Sequence, residues 1–242
     1  MKKKTESVPL KRASKSKIVK AKARPDSKPN ARKPNANVDW SAAIAPLIKK
    51  YSKLKHPLSF QNPYQLLVQV TLSAQSSDNL INSISPVLFE KYPDFATLRK
   101  AKPQDLFPYI KSVRNFAKKA KWLCDTANKL APLDKIPLTM KELTELSGIG
   151  RKSASVILRE LGGKAEGIIV DLHVMRVAPR LGIANGETPD QIEKELMAIL
   201  PEKQWNHTGM CISFLGRLVC RPTDPLCDKC VMQPHCRYAN KP

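Results

Sequence analysis

From Asp39 onward, apolar residues recur every three or four positions, and nowhere do they alternate with a sustained period of two. That spacing belongs to amphipathic helices rather than strands, so the pattern predicts an all-α fold. The ends of the apolar runs carry the start signals. Asn62-Pro63 reads as a cap with proline at the first helical position, and Leu66, Leu67 and Val70 form its buried stripe. Asp78 to Glu90 reads as a second helix, which Pro86 is expected to kink. Short helices are expected from Asp94 and from Pro103, and a longer one from about Asn115 to Lys129. Thr139-x-x-Glu142 has the form of a capping box opening a short helix to Ser147. A Gly148-Ile149-Gly150 turn then leads into a helix from Arg151 to Leu161, stopped by Gly162-Gly163. Thr188-Pro-Asp-Gln191 is a second capping box with a helix to about Leu200, and a last helix lies near Trp205 to Leu218. No repeat of fixed length is present.

Residues 1–37 break the pattern. They mix Lys, Ser, Pro and Ala with almost nothing large and apolar, so they cannot bury enough surface to offset their ordering entropy and are expected to be disordered. They hold 13 basic and 2 acidic residues, which is +11 of the net +21 of the 242-residue chain and leaves +10 in the body. A body that stays basic without its tail points to a polyanionic partner, nucleic acid first and an acidic membrane surface second. The tail itself reads as a solvated solubility aid, a flexible arm adding phosphate contacts, or a targeting address. No apolar run approaches the roughly 20 residues of a membrane span. The basic N-terminus leads into no apolar segment of the secretory kind, so an intracellular chain is expected, with reduced thiols.

Cysteine spacing then changes the picture. Cys220, Cys227, Cys230 and Cys236 read C-x6-C-x2-C-x5-C within 17 residues. Four thiols that close together suit one metal centre; disulfides and zinc remain alternatives. The layout is not two C-x2-C knuckles around a long spacer. Cys124 and Cys211 lie in helical patterns and read as small buried hydrophobes. The hairpin Leu146-Ser-Gly-Ile-Gly-Arg-Lys152 is the second candidate. Its glycines permit a tight turn and close backbone approach, and its amides open a helix whose dipole favours an anion such as a DNA phosphate.

These segments resemble the endonuclease III family of helix-hairpin-helix DNA glycosylases. Leu146 to Ala154, LSGIGRKSA, is similar to that family's LPGVGRKTA hairpin. Val170-Asp171-Leu-His173-Val resembles its VDTHV segment, and Leu72-Ser-Ala-Gln75-Ser-Ser-Asp78 its LSAQ-x-x-D segment. With the cysteine loop, four motifs stand in family order over about residues 38–237. The resemblance implies a six-helix domain of residues 57–164 carrying the hairpin, and a second domain of residues 38–56 with 165–242. It implies a [4Fe-4S] cluster on the four cysteines, structural in role, with Arg217, Arg221 and Lys229 facing phosphates, and duplex DNA bound in the cleft between the domains. It further implies Lys152 as a nucleophile that forms a Schiff base, Asp171 as its carboxylate partner, and Gln75 as the residue filling the gap left by an extruded base. His173 reads as a hydrogen-bonded structural histidine. Gly148, Gly150, Arg151, Ser153 and Asn115 would join the DNA-binding surface.

The chain departs from the pattern at Ser147 (proline in the family), Leu172 (threonine), Arg114 (glycine) and Asn115 (a wedging leucine). The reading that follows is a monomeric bifunctional glycosylase and abasic-site lyase acting on oxidised pyrimidines, located in bacterial cytoplasm or nucleoid. A related enzyme with shifted specificity and a catalytically silent DNA-binding module are the other classes.

Overall fold

The computed structural model describes residues 37–133 and 135–240. The predicted disordered tail, but for Asn37, lies outside them. In chain order the helices are α1 (Trp40–Ala43), α2 (Ala45–Tyr51), α3 (Pro63–Ser73), α4 (Asp78–Lys91), α5 (Phe95–Leu98) and α6 (Pro103–Ile110). The remainder are α7 (Phe116–Leu130), α8 (Met140–Thr144), α9 (Arg151–Glu160), α10 (Leu172–Leu181), α11 (Pro189–Ile199) and α12 (Glu202–Leu218). Two 3-10 turns follow at Cys227–Lys229 and Gln233–His235. There is no strand among the described residues, so the all-α expectation holds.

Side-chain caps fix most of the starts. The Asn62 carboxamide accepts from the Gln65 amide at 2.9 Å, and Asp94 accepts from the Thr97 amide at 2.7 Å. Thr188 and Gln191 form the full reciprocal box, each accepting from the other's amide. Each such cap satisfies an otherwise orphaned helix N–H and contributes on the order of 1 kcal/mol. The first capping box is only half made. Thr139 Oγ1 accepts from the Glu142 amide at 3.2 Å, but its own hydroxyl donates to the Glu142 carboxylate, so that carboxylate does not reach back to the backbone. The helix after it is shorter than expected and ends at Thr144. Pro86 lies inside α4, which runs on to Lys91.

The helices sort by packing. Helix α3 lies against α4, α7 and α9, while α6 packs on α7 and α8 on α9. Helix α12 packs on both α10 and α2. Residues 38–51 therefore return to the C-terminal helices, and Gln204 Nε2 on α12 donates to the Ser41 carbonyl at 2.9 Å. Leu66, Leu67, Leu123, Ile157, Val174 and Leu215 are fully buried in the core. Each contributes roughly 1.5–3 kcal/mol relative to an exposed position.

Two of the described buried residues are charged, Glu193 and Lys119. Lys119 on α7 is 2% exposed, and its ammonium donates to the carbonyls of Leu72 and Ala74 at 2.7 and 2.5 Å. It thus caps the C-terminus of α3, where carbonyls lack helical partners and the dipole favours a cation. Burial pulls its pKa down to about 8. Its backbone amide also donates to the Asn115 carbonyl at 3.1 Å. One residue therefore touches the chain beside Gln75 and the start of α7 at once.

Candidate active site

The hairpin rests on α7. Gly148 has φ of +80°, and a Cβ there would also fall inside the ring of Trp122. Two independent constraints therefore demand glycine at that position. Gly150 differs: its backbone is extended, it is the N-cap of α9, and nothing lies within 4 Å of a Cβ built on it. Gly150 is therefore the glycine that leaves open approach to the amides at the helix start, as anion binding needs. Ser147, in place of the family's proline, brings its hydroxyl to 3.5 Å from the Asp125 carboxylate.

Helix α9 carries Arg151, Lys152 and Ser153 in its first turn. The Arg151 guanidinium is turned away from the site. It meets both Glu193 carboxylate oxygens at 2.9 and 3.0 Å and the Glu166 carbonyl at 2.9 Å. Its charge is thus compensated by Glu193. The pair sits over Gly167, where a side chain would collide with it.

Lys152 and Ser153 line a cavity together with His56, Ser73, Asp78, Asp171 and Arg217. Its apolar wall includes Leu58, Val70, Val156, Ile169 and Met210. The nucleophile and carboxylate expected from sequence are therefore brought to one cavity. Asp171 is also the N-cap of α10. Oδ1 accepts from the amides of His173 and Val174, both at 2.9 Å. Oδ2 accepts from the Ser213 hydroxyl at 2.6 Å, and Arg217 approaches it at 3.9 Å. Arg217, expected to face phosphates, is engaged by a carboxylate. It turns inward to Asp78, 2.7 Å away, because α12 runs beside the start of α4 and the two charges can be satisfied there.

Gln75 and Asn115 lie exposed at two loop tips, and both have left-handed backbones, with φ of 59° and 58°. Only three non-glycine residues have positive φ among the described residues, and strain of this kind gathers at functional sites. Neither residue lines the cavity. Leu172, the first residue of α10 after Asp171, is 83% exposed. His173 is half-buried with Nδ1 3.3 Å from Arg176, and burial lowers its pKa. That is the structural histidine expected.

The sequence reading missed His56, Ser213 and the Asp78–Arg217 pair. His56 precedes Pro57 in the loop from α2 to α3, and the Leu58 amide donates to its Nδ1 at 3.1 Å. Burial first, then the nearby cations Arg159, Arg217 and Lys152, push its pKa down to about 4 against the opposing pull of Asp78. Only Asp78 had a signal, as the last residue of the LSAQ-x-x-D segment.

Cys220, Cys227, Cys230 and Cys236 all line one further cavity, walled by Leu181, Leu215, Pro225 and Leu226. None forms a disulfide. Burial raises the thiols of Cys227, Cys230 and Cys236. Arg180 Nη1 stands 3.7 Å from Cys220 Sγ. Cys124 and Cys211 lie apart and buried, their thiols raised to about 11.

Comparison with known proteins agrees with this geometry. The family described as HhH-GPD superfamily base excision DNA repair protein matches residues 68–202. The chain is 36% identical to endonuclease III of Synechocystis sp. over 80% of its own length and 89% of that protein's. For endonuclease III of Rickettsia felis the values are 38%, 78% and 89%. A solved endonuclease III–DNA covalent intermediate, trapped as an estranged-adenine complex, superposes with a TM-score of 0.74 at 32% identity. That match covers 83% of this chain and 95% of the other. The chain belongs to the endonuclease III family of the HhH-GPD superfamily.

Proposed function

We propose that this protein is a bifunctional DNA glycosylase and abasic-site lyase of base excision repair that removes oxidised pyrimidines from damaged duplex DNA. The observation that carries this reading is the shared cavity of Lys152 and Asp171, in a chain this similar to endonuclease III. Lys152 Nζ attacks the anomeric carbon of an extruded nucleotide, and the glycosidic electrons leave with the base. The secondary amine that results opens the sugar ring to an imine. Loss of a proton from the adjacent sugar carbon then expels the 3′ phosphate by β-elimination. Asp171, held by the α10 amides and Ser213, sits where positive charge develops on the sugar and on the lysine.

The DNA surface follows from the same site. Gly148, Gly150 and Ser153 present the hairpin to a phosphate, and Gln75 and Asn115 approach the strands at the extruded base. Arg151 contributes by holding the hairpin to α11 through Glu193. The helix packing supports a division into residues 57–164 and residues 38–56 with 165–242, with DNA in the cleft where the lysine cavity opens. Work on genomic DNA puts the protein inside the cell, in the bacterial cytoplasm or nucleoid. No described helix is long and apolar enough to cross a membrane.

The four cysteines would hold a [4Fe-4S] cluster. The donor set fits: four unpaired thiols surround one apolar-walled cavity, where thiolates need a cationic partner. When bound, the cluster supplies no step of base release and pins the loop after α12.

Exposed Leu172 and Asn115 favour a second reading, in which the lysine chemistry is kept and the preferred lesion shifts. Borohydride trapping on duplexes carrying thymine glycol or an abasic site, with Lys152→Ala alongside, separates the two. A covalent adduct on both substrates, absent in the variant, is expected. An adduct on the abasic site alone would move the base specificity elsewhere, and none on either would remove the lyase.

A further inference from the structure

His56 is the one imidazole in the lysine cavity, and its tautomer is fixed. Nδ1 accepts from the Leu58 amide, so its lone pair is engaged and the proton of the neutral ring stands on Nε2. No acceptor among the described residues bonds that Nε2–H. Its acidic neighbours and Ser73 are committed. Both oxygens of Asp171 accept hydrogen bonds, Asp78 is paired with Arg217, and the Ser73 hydroxyl donates to the Val70 carbonyl at 2.9 Å. Among the described residues, the cavity's uncharged donors without a bonded acceptor are the Ser153 hydroxyl and His56 Nε2–H, and the cavity's apolar wall is formed by Val70, Ile169 and Met210.

Oxidation of thymine at its 5,6 bond leaves the two ring carbonyl oxygens in place, and both are acceptors; an oxidised cytosine keeps one. When the glycosidic bond breaks, the departing base gathers negative charge on those oxygens and on its ring nitrogen. A preorganised neutral donor in a water-poor site is worth most at that moment. We propose that His56 contacts the extruded base, its Nε2–H donating to a pyrimidine carbonyl oxygen and stabilising the charge that the base acquires as it leaves. No proton crosses from the ring. The base departs as an anion held by the hydrogen bond and takes its proton from water afterwards. Burial keeps the ring neutral in the working pH range, so the donor does not alternate with a cation.

This inference rests on the glycosylase reading above, and the experiment keeps the two apart. Single-turnover rates are measured for thymine glycol release and for cleavage at a preformed abasic site, in wild type, His56→Leu and His56→Gln. An abasic site has no base to contact. The ratio of base release to abasic cleavage is expected to fall roughly 100-fold in His56→Leu, as when one oxyanion-hole donor is removed. His56→Gln, which keeps an N–H donor and an acceptor for the Leu58 amide, should recover most of that ratio. An unchanged ratio in His56→Leu, whether both rates fall together or neither does, would assign His56 a structural role and overturn the inference. Failure of the wild type on thymine glycol alone would overturn the glycosylase reading, and this inference with it.

Discussion

Both oxygens of Asp171 are engaged, one by the α10 amides and one by Ser213, so a single carboxylate caps a helix and faces the lysine cavity. The Ser213 bond is a short hydrogen bond to a charged acceptor, the stronger class of such contacts. Ser213→Ala should leave the cap intact and free Oδ2 to turn. Abasic-site cleavage is expected to slow roughly tenfold, equivalent to about 1.4 kcal/mol in the barrier. A single-turnover cleavage assay checks this, and a variant as fast as wild type would show that the α10 amides alone orient the carboxylate. At this scale the sequence was legible only in part. Lys152 and Asp171 stood in recognisable segments, but Ser213 lies 42 residues from its partner and Arg217 lies 139 from Asp78. No local pattern encodes such pairs. His56 carried no signal at all, because its role depends on which cavity the loop folds over.

At the scale of elements, most helix starts could be read because their caps are local. Asn62, Asp94 and Thr188 bond amides three residues ahead, within the window that sequence inspection covers. Helix α10 stands in none of the predicted spans, since Pro179 inside it and the loop before it obscure the period. The capping of α3 was invisible for the opposite reason: its donor, Lys119, comes from 45 and 47 residues away. That lysine makes the Gln75 turn a dependent of α7. Lys119→Met fills the same space but leaves two carbonyls without a donor. The cost should be about 1–3 kcal/mol, moderated because a buried ammonium is removed as well. Urea unfolding measures the stability. Hydrogen exchange at residues 73–77 should quicken beyond the global change, and unaltered local protection there would argue that the turn holds itself.

For the whole molecule, charge is divided between a body of +10 and a tail of +11. The tail could be read from composition alone, whereas the way the body's basic side chains are committed could not. Arg151 is bound to Glu193, and Arg217 to Asp78, so part of the nominal positive charge is internal. If the tail neutralises phosphates, removing residues 1–36 should make the slope of log K against log salt shallower, by about 0.9 for every duplex phosphate the tail had neutralised. Binding measured over a salt series on undamaged duplex checks this, and an unchanged slope would leave the tail as a solubility aid.

The Arg151–Glu193 pair also bears on what such a titration reports. Glu193 is only 10% exposed though Arg151 is 46% exposed, so dissolved ions screen the pair less than they screen a fully exposed phosphate contact. The hairpin therefore stays latched to α11 across salt concentrations that strip the enzyme from DNA. Ionic strength then acts as a dial on residence time along the duplex, with the hairpin's anchorage left in place, so that encounters differ in duration but not in competence.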